Sequence, residues 1–199
     1  QYVGMGKDIA DNFPVAQQIF AQADEVLGLP LSELCFTGPE EGLNETTNTQ
    51  PAILTTSIAC LEVLKGKGIE ADLVAGHSLG EYSALVAAGV LDFPSALRLV
   101  RLRGQLMREA VPPDKGAMAA ILGLDRPQVE DICRRASSEG IISPAAFNCP
   151  GQIVIAGEVK AIEKAVALAL EAGAKRAVKL AVSVPSHSPL MQSIVERFK

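Results

Sequence analysis

The stretch Ala71–Gly89, ADLVAGHSLGEYSALVAAG, constrains this chain more than any other. Its first six residues form a short apolar run of strand length. Gly76-His77-Ser78-Leu79-Gly80 follows, and then the apolar series Glu81–Gly89 has helical length and ends on glycine. A serine framed by glycines between a buried strand and a helix is the pattern of a nucleophile elbow. Its logic is steric. The serine occupies a sharp turn, and the glycines let strand and helix approach. Its hydroxyl is thereby exposed, and the Leu79 N–H stands at a helix N-terminus, where it can donate to an oxyanion. The other reading of the pentapeptide, an ordinary serine in a glycine-rich turn, remains open here.

The rest of the chain supplies the context. Proline near the start and glycine at the end delimit a helix over Pro14–Gly28, with Val15, Ile19, Val26 and Leu27 on its apolar face. A longer helix spans Thr49–Gly68, with Pro51 near its start, and another spans Pro94–Ala110. Helix, helix, strand, helix, helix implies α/β layering. Val111–Gly116 reads as a linker. Beyond it come a strand (AMAAILGL), a helix (Arg126–Gly140), two strands (IISPAAFN and QIVIAG), a helix (Val159–Gly173) and a strand (Lys175–Val184). That βαββαβ order is the ferredoxin-like split unit. The expected fold is α/β. A large subdomain comprises residues 1–114 and 184–199, and a small inserted one residues 115–183. An amphipathic helix is expected over SPLMQSIVERFK. It reaches Lys199 without a C-cap signal, and Gln1 stands where a methionine is usual, so the chain reads as truncated at both ends.

Composition excludes several classes. With 199 residues, 48% hydrophobic and 21% charged, the chain has the make-up of a globular protein. A net charge of −5 argues against nucleic-acid binding. No apolar run approaches the roughly 18 residues that cross a membrane. Four cysteines without Cys-x-x-Cys spacing and two histidines argue against zinc. Free thiols fit a reducing, cytoplasmic setting.

A serine nucleophile needs a base. His77 adjoins Ser78, and neighbouring side chains of an extended segment diverge. By elimination the candidate base is His187, in SVPSHSPLM, and Ser before His is the order of elbow enzymes. The other reading, a histidine that is simply a surface residue, stays open at this point. Arg103 gives a second clue. Its helical neighbours Leu99, Val100, Leu106 and Met107 are all apolar, whereas Arg98, Arg101, Gln105 and Arg108 share the polar face. A cation on an apolar face needs a partner. That partner is either an internal carboxylate or the carboxylate of a bound acyl group.

Together with TQPAIL, NCPGQIVIAG and VSVPSHSPLM, the stretch GHSLGEYSALVAAGVLDFPSALRLVRLRGQLM resembles the malonyl-CoA:acyl carrier protein transacylase family over essentially the whole chain. The resemblance implies an α/β-hydrolase-like large subdomain with a ferredoxin-like insert. It implies malonyl transfer from coenzyme A to acyl carrier protein, with no cofactor. Ser78 is then the nucleophile and His187 its base. Arg103 is the partner of the malonyl carboxylate, and Gln50 lines that pocket. Leu79 is an oxyanion donor, and Asn148 and Met107 lie near the acyl group. The second oxyanion donor and the carbonyl that orients the histidine correspond to segments outside these residues. An acidic carrier implies a basic dock, from Arg98, Arg101 and Arg108 or from Lys175, Arg176 and Lys179. A serine esterase or thioesterase, or a synthase acyltransferase domain, would use the same elbow.

Overall fold

The structure is a computed structural model that describes residues 1–112, 114–180, 182 and 184–199. It is a mixed α/β protein, and the chain divides into two compact units, Gln1–Gln105 and Leu106–Lys199.

The first unit is helical. Its elements are α1 (Lys7–Asn12), α2 (Pro14–Leu27), α3 (Leu31–Thr37), α4 (Glu40–Asn44), α5 (Thr46–Gly66), α6 (Gly80–Ala87) and the greater part of α7 (Phe93–Ala110). The boundaries of α2 follow from local chemistry. Pro14 opens it, and Gly28 closes it at φ 62, a left-handed conformation that costs glycine nothing. The face that α2 buries is Ala16, Phe20 and Ala23, while Val15, Ile19, Val26 and Leu27 are half-buried beside it. Phe20 joins Leu31, Leu43, Leu54, Ile58, Leu97 and Val100 in this unit's core.

Two expectations are corrected here. Residues 71–76 are not a buried strand. They run without a ladder partner among the described residues, and Leu73 is 82% exposed. An apolar run becomes a strand only when a neighbour pairs its N–H and C=O groups. The second correction concerns α5, which begins at Thr46, so Pro51 lies inside the helix. Proline has no N–H for the carbonyl four residues back. That carbonyl belongs to Thr47, and it accepts instead from Nη1 of Arg101 at 3.3 Å. The same guanidinium nitrogen donates to Oδ1 of Asn48 at 2.8 Å. Arg101 is therefore half-buried against the start of α5 rather than displayed on an open polar face.

The second unit holds β1 (Gly116–Leu122), α8 (Arg126–Ala136), β2 (Ile142–Cys149), β3 (Gln152–Glu158), α9 (Val159–Glu171), β4 (Arg176–Lys179) and α10 (Val195–Phe198). The four strands form one antiparallel sheet in the order β2-β3-β1-β4. The Asp125 carboxylate accepts from the Gln128 N–H, and the Gln128 side chain accepts from the Asp125 N–H, a capping box that starts α8. Ile121, Ile153 and Ile155 pack with Val129 and Ile132 of α8 and Ile162 and Leu168 of α9. Met118, Val154 and Ala156 form a separate buried cluster, as the two-residue period of a strand requires.

The last strand is shorter than expected. Ladder pairing ends at Lys179, and Ala181 and Ser183, within the expected strand and at the expected subdomain boundary, lie outside the described residues, as does Pro113 of the expected linker. The terminal segment is not one amphipathic helix. Pro189–Ile194 is a 3₁₀ turn, followed by the four residues of α10. Val184 and Ile194 pack there against Leu106 and Met107. Among the described residues no helix is long and apolar enough to cross a membrane.

Candidate active site

Ser78 sits on a tight turn between residues 71–76, which belong to no helix or strand, and α6. Its φ is 54, a left-handed value that a non-glycine residue adopts at a cost of about 1 kcal/mol. The turn closes when the Gly80 N–H donates to His77 O at 2.9 Å and the Glu81 N–H to Ser78 O at 3.2 Å. The two framing glycines differ in role. A Cβ on Gly76 would lie 1.9 Å from the carbonyl carbon of Gly80 and 2.1 Å from the Glu81 nitrogen, so only glycine lets the chain fold back onto the start of α6. A Cβ on Gly80 would meet nothing within 4 Å. The close approach expected of both glycines belongs to Gly76 alone.

Leu79 buries its side chain in the core of the first unit. Its N–H points from the N-terminal end of α6 and meets no backbone acceptor among the described residues. A helix N-terminus carries partial positive charge, so this donor suits an oxygen that gains negative charge beside Ser78.

Arg103 comes to the serine from α7. Its Nη2 donates to Ser78 Oγ at 3.2 Å and its Nη1 to Gln50 Oε1 at 2.6 Å. The guanidinium carbon lies 5.9 Å from the centre of the Tyr82 ring. Burial pushes the Arg103 pKa down, and the nearby Tyr82 and Glu81 oppose that shift. A guanidinium keeps its proton in proteins nonetheless. Among the described residues no carboxylate forms an ion pair with it. Of the two partners open at the level of sequence, the internal acid is thus not found. Gln50 is 4% exposed, and its Nε2 donates to Thr46 Oγ1 at 2.8 Å. Burial likewise raises the Tyr82 pKa, with Arg103 acting in the opposite direction.

The first unit therefore brings together Ser78, Leu79, Arg103 and Gln50. His187, Met107 and Asn148 belong to the second unit. His187 is exposed on a turn at φ 59, next to Ser188, whose Oγ donates to Pro185 O at 2.8 Å. Met107 is buried against Leu106, Val184 and Ile194. Asn148 is exposed on β2. Tyr82 and Thr46 were not singled out in the sequence. Helical spacing carried the signal: Tyr82 lies four residues after Ser78, and Thr46 four residues before Gln50.

The first unit thus places a hydroxyl on a strained turn, an N–H at a helix start and a partly buried cation with neutral partners beside one another. Residues 1–199, the whole chain, match the acyl transferase domain family. The chain belongs to that family. It is 52% identical over 200 residues to the malonyl CoA-acyl carrier protein transacylase of Bacillus subtilis and 50% identical over 198 residues to that of Escherichia coli K12. It covers 63% and 64% of those proteins, so this acyl transferase chain spans less than two thirds of the length of the curated relatives it matches. Among solved structures, it superposes with a TM-score of 0.96 and 53% identity on a malonyl-transacylase solved with its type II polyketide acyl-carrier protein. The match covers the whole chain and 64% of that one. An acyl carrier protein S-malonyltransferase from Vibrio cholerae gives a TM-score of 0.93 at 51% identity, covering the whole chain and 65% of the other.

Proposed function

We propose that this chain carries the acyl-transfer site of an enzyme that moves a malonyl group from coenzyme A to the phosphopantetheine thiol of acyl carrier protein, in fatty acid biosynthesis. The observation that carries the reading is Arg103. Its guanidinium is partly buried, reaches Ser78 Oγ, and has only neutral partners among the described residues. Burying a cation without an anion is unfavourable, and an acyl group ending in a carboxylate supplies the anion where it is needed. The transacylase names of relatives at about 50% identity support the same substrate.

Ser78 Oγ attacks the thioester carbonyl carbon while His187 takes the hydroxyl proton. The oxygen that becomes negative accepts from the Leu79 N–H. The carbon–sulfur bond breaks, and coenzyme A leaves with the proton from His187. In the second half the carrier thiol gives its proton to His187 and attacks the malonyl-serine ester. The carbon–oxygen bond breaks, and Ser78 regains the proton. Arg103 holds the malonyl carboxylate in both halves, oriented by Gln50, and Met107 and Asn148 flank the acyl group. No step requires a cofactor. The finer architecture belongs to the same proposal: an α/β-hydrolase-like subdomain of residues 1–114 and 184–199 with a ferredoxin-like insert of residues 115–183, in a cytoplasmic protein. The antiparallel order β2-β3-β1-β4 supports the insert.

The test is acylation of Ser78 followed by intact mass. Malonyl-CoA should add one malonyl group, and Ser78→Ala should add none. Arg103→Ala should lower malonyl transfer by roughly 100-fold, the order expected when a charged hydrogen-bond partner is removed, while sparing acetyl transfer. Equal losses for malonyl and acetyl would refute the carboxylate role, and an adduct on Ser78→Ala would refute the nucleophile.

A further inference from the structure

Gln50 serves Arg103 in only one of its two amide orientations. A guanidinium offers donors and no acceptor, so the amide oxygen must face it. With the amide turned over, its NH₂ group would face Nη1, donor against donor. What the other end of the amide meets therefore matters. Its Nε2 donates to Thr46 Oγ1 at 2.8 Å, across one turn of α5. The hydroxyl oxygen accepts at that point, whereas a methyl group there would not.

Thr46 is itself held firmly. Gly104, the residue after Arg103, lies against it. A Cβ on Gly104 would come within 2.7 Å of Thr46 O and 2.8 Å of Thr47 Cα, so α7 meets α5 backbone to backbone here. The bond from Arg101 Nη1 to Thr47 O ties the same turn to α7 a second time. A β-branched threonine in a helix has few χ1 rotamers, and the bond from Gln50 Nε2 is made in the one that turns Oγ1 toward the amide. The result is a linked series: Thr46 accepts from Gln50, Gln50 accepts from Arg103, and Arg103 donates to Ser78.

We infer that Thr46 is a positioning residue for acid selectivity. Its hydroxyl fixes the Gln50 amide, and through it the plane in which Arg103 presents itself to a carboxylate beside Ser78. This inference rests on the reading of Arg103 given above.

The experiment measures steady-state KM and kcat for malonyl-CoA and acetyl-CoA in the purified enzyme. Thr46→Val keeps the shape and removes the hydroxyl. It should raise the malonyl KM and lower the malonyl-over-acetyl preference by roughly fivefold to tenfold, with acetyl transfer unchanged. Thr46→Ser should restore the preference to within about twofold of the parent, since it keeps the acceptor. In a Gln50→Leu background, Thr46→Val should change the preference no further. Thr46→Ala carries the same expectation as Thr46→Val, should the latter not fold. An unchanged preference in the folded hydroxyl-free variant, or an undiminished effect in the Gln50→Leu background, overturns the inference. Arg103→Ala measured in parallel separates the two levels. If it keeps the malonyl preference, the carboxylate reading falls and this inference with it. If it loses the preference while Thr46→Val keeps it, only the inference falls.

Discussion

Gly76 and Ser78 make opposite demands on the backbone. Gly76 needs no unusual φ, but it has no room for a Cβ. Ser78 takes the left-handed conformation despite having one. The strain at Ser78 is held by the turn around it, and the missing side chain at Gly76 lets that turn form. Gly76→Ala should therefore cost more than about 2 kcal/mol in urea denaturation, or prevent folding, because the clash is with backbone. Gly80→Ala should stay within about 1 kcal/mol of the parent, since its Cβ meets open space. Similar costs for the two would contradict the close approach. In the sequence the two glycines look alike, since spacing does not reveal which one another backbone segment approaches. Arg103 is legible there, because four apolar helical neighbours mark an inward cation. Tyr82 is not, since it carries no charge to mark it.

At the scale of the element, α5 shows what local signals hide. Pro51 suggests a helix start, yet the helix begins five residues earlier because Arg101 of α7 serves the carbonyl that Pro51 cannot. Arg101→Met should lower stability by about 2 kcal/mol or more, since it removes the hydrogen bonds to both Thr47 O and Asn48 Oδ1. The loss should shrink when Pro51→Ala restores an N–H for Thr47 O, which a double-mutant cycle in denaturant measures. An equal loss in both backgrounds would remove this account. Where partners are local the elements were legible: α2 runs from its proline to its glycine, and α8 starts beside Pro127, although it gives way after Ala136 to a 3₁₀ turn instead of running on to Gly140. Residues 71–76 failed as a strand because pairing is non-local. Lys175, Arg176 and Lys179, considered as a dock, lie at or on β4, an edge strand, where basic side chains also discourage pairing with other chains.

At the scale of the whole molecule, the four thiols divide by burial. Cys35 and Cys133 lie in the cores of the first and second units, and burial pushes both up to about 12, with Asp24 and Glu130 adding to the respective shifts. Cys60 and Cys149 are exposed, and burial of part of the Cys60 side chain raises its pKa. At pH 8 a thiol reagent should label Cys149 first, Cys60 more slowly, and Cys35 and Cys133 only after unfolding. Fast native labelling of either core cysteine would contradict the packing. The sign of the linked stability follows. Thiols of the unfolded chain ionise near 9 while the two core thiols stay protonated to about 12, so their contribution is full below pH 9 and is lost as pH rises above it. The alkaline loss, followed by denaturation from pH 8 to 11, should be shallower in a Cys35→Ala, Cys133→Ala variant.

The sequence by itself determined what depends on neighbours along the chain: the ends of α2, the start of α8, the serine turn at residues 76–80, the inward side of Arg103, and the order of elements from β1 to β4. Only the tertiary structure decided what depends on residues far apart. It gave Arg103 neutral partners instead of an internal acid, started α5 at Thr46, and joined Thr46, Gln50, Arg103 and Ser78 into one series. The physical reason is range. Backbone propensity, capping and periodicity act within a turn or two, whereas the partner of a buried cation or an orphaned carbonyl comes from whichever distant segment the core packs beside it.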